Sequence, residues 1–148
     1  ESTSVDDNCY IDSVAITDIA TGFKQVFNNS KIEIRTGSQP SSADLAPTGT
    51  LLVTITLNGD SGTGLVFDDP SNGTVGKPSG AVWSGTAVAT GTAGWFRLCH
   101  MNDSGAQSTT EERIDGSVAI SGADLNMSST NIVVGSVHVI NQFNISIS

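Results

Sequence analysis

Large side chains and positive charge are both scarce in this chain. Only 5% of its 148 residues are aromatic, and six Lys and Arg stand against fifteen Asp and Glu, for a formal net charge of −9. The six cations are scattered singly, whereas nucleic-acid binding requires clustered Lys and Arg. We therefore expect neither nucleic acid nor an anionic membrane surface as a partner, and we expect the acidic excess to serve solubility.

Long apolar runs and paired cysteine motifs are also missing. No apolar run approaches the roughly 18 residues that a membrane-spanning helix requires, so we expect no such helix. The only cysteines are Cys9 and Cys99. They could form one disulfide or none, and the sequence does not decide between the two. Two free thiols are the favoured interpretation, because neither cysteine lies in a C-x-x-C motif.

Motifs that carry chemistry are equally scarce. The only histidines are His100, at the end of a predicted strand, and His138, on the polar face of another. No nucleophile elbow, zinc-protease, dinucleotide or phosphate-loop pattern occurs. The acidic pairs at 6–7 and 68–69 lack the ligand repeat of a calcium loop and are interpreted as solvated turns. We expect no enzyme activity, no cofactor, no metal site and no small-molecule substrate.

Alternation of apolar and polar residues is the dominant pattern. It is typical of half-buried β-strands, and clusters of Gly, Pro, Asn, Asp and Ser separate the alternating segments. We expect an all-β fold, an antiparallel β-sandwich or jelly roll with one short N-terminal helix. The segments are 31–37, 50–60 (closed by an Asn58-Gly59 turn), 113–120, 130–135 and 136–148.

The last of these segments is read as one long strand. Val137, Val139 and Phe143 are predicted to share its buried face with Ile145 and Ile147. Ile140 does not fit the alternation.

The N-terminal part divides into a polar arm and a helix. Apolar residues at three- and four-residue spacing predict a helix from about Ser13 to Phe27. Residues 1–12 are polar and are predicted to form an arm that precedes a single β-sandwich domain, 13–148. Val5, Tyr10 and Ile11 give this arm apolar side chains to bury against a neighbouring subunit.

The stretch "WSGTAVATGTAGWFRLCHM" (83–101) predicts two adjacent antiparallel strands, about 82–90 and 93–101. Small residues in the first would leave room for the rings of Trp95 and Phe96 in the second. Because these two rings are consecutive, they point to opposite faces of the strand. Either both are buried, or one is exposed and forms an intermolecular contact.

The run "IEIRTGSQPSSADLAPTGTLLVTITLNGD", the later "GAVWSGTAVATGTAGWFRL" and the closing "DGSVAISGADLNMSSTNIVVGSVHV" together resemble a family of small virion proteins of tailed bacteriophages, encoded among the head genes. The resemblance covers roughly residues 13–148 in order and spacing. The chain departs from it at the Cys99-His100-Met101 extension and in the N-terminal tail. The resemblance implies a structural virion protein, a capsid decoration or cement protein on the capsid exterior.

Such a protein would contact the major capsid protein, copies of itself, or both. The candidate interface residues are Val5, Tyr10, Ile11, Trp95 and Phe96. The competing hypothesis is a carbohydrate-binding or fibre-forming β-sandwich module of a secreted or tail-associated protein. Sugar-binding modules usually display a platform of exposed aromatics, and a chain with so few rings has difficulty building one.

Overall fold

The computed structural model describes residues 22–146, and most of its regular structure is β-strand. A single short helix over 22–27 opens it, which confirms the all-β fold with one short helix. The helix ends at Phe27 as predicted, whereas its predicted start and the arm 1–12 lie outside the described residues. No helix of the described range is long and apolar enough to cross a membrane.

Ten strands follow within the described residues and are numbered here in chain order. They are β1 (Ser30–Thr36), β2 (Leu51–Leu57), β3 (Thr74–Gly76), β4 (Trp83–Thr86), β5 (Gly91–His100), β6 (Arg113–Ala119), β7 (Leu125–Asn126), β8 (Asn131–Ile132), β9 (Val137–Ile140) and β10 (Asn144–Ser146).

Eight of these strands form one curled sheet in the order β9-β4-β2-β1-β5-β6-β7, with β8 paired to β5. Strands β3 and β10 form a separate antiparallel ribbon. The main sheet is antiparallel except for the parallel pair β6–β7. The predicted antiparallel pairing of the strands is confirmed apart from that pair. The jelly-roll arrangement of the strands stays a prediction.

Strand β1 follows the predicted pattern closely, whereas β2 departs from it: Leu52 and Val53 are both fully buried, and the register between β1 and β2 shifts at Leu52. Ile32 and Ile34 of β1 are buried in the core, while its charged residues occupy the other face. The turn after β2 is also confirmed, since Asn58 and Gly59 both have positive φ, 57° and 71°. Consecutive positive φ values define the type I′ turn that Asn-Gly favours.

The predicted hairpin of 82–90 with 93–101 is wrong. Strand β4 lies between β2 and β9, and β5 lies between β1 and β6. The backbone N–H of Val88 donates to Leu52 instead, which anchors this connection on β2. Gly85 also packs closely on β2. A Cβ at this position would collide with the carbonyl oxygen of Thr54. The small residues therefore allow close backbone approach to β2 and do not make room for rings on β5.

The single strand predicted over 136–148 is also wrong. The chain leaves the main sheet after Ile140, and β10 pairs with β3. Ile140 and Phe143 are both buried. In one regular strand, residues three apart point to opposite faces, so these two could not share a buried face. The bend at 141–143 thus turns Phe143 into the core, while Val137 and Val139 of β9 are 66% and 49% exposed. In 130–135, only β8 is strand.

A β-bulge interrupts β5 just before its two large rings. Arg35 pairs with Trp95 but Thr36 pairs with Ala93, so Gly94 is the extra residue. A Cβ on Gly94 would collide with the carbonyl oxygen of Gly37. Glycine is therefore required here for close approach of the two backbones.

We predict that Gly94→Ala lowers the free energy of unfolding by about 1–3 kcal/mol, because the methyl group forces the β1 and β5 backbones apart. Urea denaturation monitored by tryptophan fluorescence measures this. Gly80→Ala is the matched control, since a Cβ there meets nothing within 4 Å. Equal stability of the two variants would contradict the bulge assignment.

Candidate interaction surface

Phe96 belongs to the main core. Its ring packs edge-on against Phe143, with centroids 6.0 Å apart. Gly116, directly opposite on β6, has no side chain because a Cβ there would come within 2.5 Å of the Phe96 ring. The ring is therefore enclosed between β6 and the segment that carries Phe143.

Trp95 is buried on the opposite face of the same strand. It is 0% exposed, and the guanidinium of Arg97 lies 5.5 Å from its ring centroid. The hypothesis that one of the two rings is exposed as an intermolecular contact is therefore wrong, and the alternative, that both are buried, is confirmed. The outer face of the strand is covered by connecting loops, which carry no strand periodicity. The other candidates, Val5, Tyr10 and Ile11, lie outside the described residues.

Arg97 holds this outer face together. Its Nε and NH2 atoms donate to the two carboxylate oxygens of Asp115 at 2.7 and 2.9 Å, and NH1 donates to the Leu45 carbonyl at 2.9 Å. The side chains of Arg97 and Asp115 are 1% and 5% exposed. A buried guanidinium is tolerated when its donors have partners, as they do here.

A second buried pair lies beside the first. Arg113 donates to both carboxylate oxygens of Asp103 at 2.8 and 2.9 Å, and to the carbonyls of Ala43 and Ala106. Together the two arginines bind the loops 37–50 and 101–112 down over β5 and β6. These loops, with the buried pairs beneath them, form an outer layer on the sheet.

Asp103 titrates as expected for a partner of a fixed cation. Burial acts to raise its pKa, but the hydrogen bonds from Arg113 and the Gly105 amide outweigh burial, and the pKa is lowered from 3.8. The same contact with Asp103 raises the pKa of Arg113. Both groups therefore stay charged at neutral pH.

Sequence reasoning missed these pairs because it considered Arg97 and Arg113 only as cations scattered singly along the chain. One signal was present: Arg97 shares a strand face with Trp95, and Asp115 lies on the neighbouring strand. The decisive fact is the register that places Arg97 opposite Asp115. Periodicity assigns faces but does not give register.

Five of the six cations make ion pairs within the described residues. Besides the two buried arginines, Lys31 and Arg35 both contact Glu33, and Lys24 contacts Asp69. Most positive charge is thus matched internally, and the remaining cation, Lys77, donates to the carbonyl of Pro78.

Cys99 is a buried free thiol, 1% exposed. Burial, followed by the nearby carboxylates of Glu33 and Asp103, raises its pKa to about 12. The nucleophilic thiolate is therefore negligible at neutral pH. Cys9 lies outside the described residues.

His138 and Ser136 share a hydrogen bond of 2.8 Å, and His100 lies 3.5 Å from Glu112. Between Gly22 and Ser146, no cluster of three or more His, Cys, Asp or Glu could hold a metal ion.

The most exposed apolar surface follows strand β9. Val137 and Val139 are paired on one side with Thr86 and Ser84 of β4. On the other side no strand pairs with β9 in the described range. The strand contains neither Lys nor Pro, the residues that usually protect sheet edges. We call this surface the valine edge; it comprises Val88, Val133, Val134, Val137 and Val139, all about half exposed or more.

The valine edge borders a groove of about 550 Å³. All four residues of β9 line one side of it, and both residues of β7 line the other. Strands β9 and β7 are the first and last strands of the main sheet. The curled sheet thus brings its two open edges to a single groove, which we call the edge groove.

Comparison of the chain with protein-family models, with curated proteins and with solved structures finds no match in any of the three.

We predict that Asp115→Ala lowers the free energy of unfolding by about 3–5 kcal/mol, because it leaves the buried guanidinium of Arg97 without its carboxylate. Asp69→Ala removes the partner of Lys24 from an exposed pair and should leave stability nearly unchanged. Chemical denaturation of both variants measures the difference. Similar losses in the two would contradict the buried position of the Arg97 pair.

We predict that stability falls as the pH drops through and below 3.8, the usual pKa of the Asp103 carboxyl. The folded-state pKa is lowered, so the unfolded chain binds more protons in this range, and the stabilisation present above it is lost. Asp103→Asn should be less stable at neutral pH and should show a shallower acid decline. Urea unfolding from pH 6 to pH 2 tests this; parallel curves would contradict it.

Proposed function

We propose that this protein is a structural virion protein of a tailed bacteriophage, a decoration or cement protein that stabilises the capsid lattice from outside. The observation that carries the proposal is the valine edge. An unprotected strand edge with alternating exposed valines is suited to pairing with another chain. The resemblance of the segments 32–60, 80–98 and 115–139 to small virion proteins encoded among phage head genes supplies the context.

The rigidity of the outer layer supports this role. Arg97 and Arg113 bind two long loops to the sheet through buried, bidentate pairs. A protein that clamps neighbouring capsomers gains from a fixed shape, since less conformational freedom is lost when it binds. The partners in this proposal are the major capsid protein and neighbouring copies of the chain itself.

The positions of the aromatic rings favour this role over a carbohydrate-binding module. Trp83, Trp95 and Phe96 are buried, and so are three of the remaining described phenylalanines. Phe23 packs against the rings of Phe27 and Phe67. The rings of the described residues thus belong to the interior, whereas a sugar platform displays its rings to solvent.

We predict that antibodies raised against the purified protein label the heads of intact particles of its phage in immunogold electron microscopy. Dissociated particles should contain the chain at a fixed ratio to the major capsid protein. Head labelling that persists after extensive washing is the expected outcome. Labelling confined to tails, or absence of the chain from purified particles, would overturn the capsid role.

A further inference from the structure

We propose that the edge groove is the docking site for the N-terminal segment 1–12 of a second copy of this chain, bound as an added β-strand. This proposal concerns contact between two copies of the chain and goes beyond the proposed capsid role. It can be tested on purified protein without phage particles.

The edge groove is built to accept an extended backbone. Strands β9 and β7 border it, and within the described residues each is paired with a strand on one side only. Unpaired N–H and C=O groups of a strand edge are satisfied best by another strand. The open edge of β9 is the longer of the two and carries Val137 and Val139.

The lining of the edge groove sets the chemistry of the occupant. Leu125, Met127, Val137 and Val139 provide apolar contacts, and amide, hydroxyl and imidazole side chains such as His138 and Gln142 lie between them. A matching strand would therefore combine apolar residues on one face with polar residues elsewhere. A basic peptide would find few carboxylates here, since Asp124 is the only acidic residue among those lining the groove.

The segment 1–12 has this composition. In an extended chain Val5, Cys9 and Ile11 share one face, with Asp7 between Val5 and Cys9, and the remaining residues are polar or acidic apart from Tyr10. The segment contains no Pro, Lys or Arg.

The segment also has the reach. The described chain begins with the helix 22–27, whose Phe23 packs on Phe67, and Phe67 contacts Phe143 at the end of the edge groove. The nine residues 13–21, which join the segment to the described chain, span about 14 Å as the helix predicted from Ser13 and up to about 30 Å when extended. Residues 1–12 follow beyond this connection.

The extent of the valine edge points to a second copy as the donor. A single strand in the edge groove covers Val137 and Val139 but leaves Val88, Val133 and Val134 exposed, because these three do not line the groove. A donor that arrives with its own folded body can cover both parts of the edge. A second copy therefore covers more of the valine edge than the segment alone.

Disulfide cross-linking of the purified full-length chain tests the proposal, with the native Cys9 as the probe. Val137→Cys and Val139→Cys each place one thiol on the groove side of β9. Because the two positions are two residues apart, together they detect a docked segment in either of two registers against β9. The endogenous Cys99 does not compete, because it is buried and its pKa is about 12. The variants are oxidised with oxidised glutathione and run on non-reducing gels.

We expect linked chains of dimer size and above, abolished by reductant and lost when Cys9→Ser is added. Peptide mapping should identify the bond between Cys9 and the introduced thiol. Val66→Cys, an exposed site away from the edge groove, is the matched control and should give no such product. A bond formed within one chain, or no bond to Cys9 at either position, would overturn the proposal.

A second measurement does not depend on thiol geometry. In sedimentation equilibrium the full chain should self-associate, and removal of residues 1–12 or Val139→Asp should shift it to monomer, whereas Val66→Asp should not. Self-association that survives the deletion would overturn the proposal. Neither result bears on whether the protein occurs on particles, so failure here is distinguishable from failure of the capsid role.

Discussion

The guanidinium of Arg97 is the interaction on which the outer half of the structure depends. It lies on β5, receives its carboxylate from β6, and donates its remaining contact to the backbone of the 37–50 loop. One side chain, 1% exposed, thus connects two strands and a distant loop. Trp95 is buried on the same face, with its ring centroid 5.5 Å from this guanidinium.

Periodicity predicted which residues of regular strands are buried, and it failed where the chain changes partner. In β1 the alternation around Ile32 and Ile34 is confirmed because the strand is regular and half buried. At Ile140 and Phe143 it failed, since two buried residues three apart require a bend that composition does not mark. The hairpin error has a related cause: alternation assigns a face to each residue but says nothing about which strand lies beside it.

In the interaction surface, too, periodicity predicted some features and failed to predict others. The pattern correctly predicted that Trp95 and Phe96 point to opposite faces of one strand. The loops on the outer face have no periodicity, and they are held by arginines whose carbonyl acceptors, Leu45 and Ala43, lie 52 and 70 positions away in sequence. The valine edge was missed for the opposite reason. Alternation assigned Val137 and Val139 to the core. Their strand, β9, lies at an edge of its sheet, and both side chains face solvent.

The strand order has a consequence for how the chain reaches this structure. Strands β4 and β5 follow one another in sequence, yet β2 and β1 lie between them in the sheet. The sheet therefore cannot grow as a series of local hairpins, and the loop contact between Leu45 and Arg97 spans 52 positions. Structures dominated by such distant contacts fold in milliseconds to seconds, because loop closure must precede any gain from pairing. The outer layer is expected to form late, after β5 and β6 have set their register.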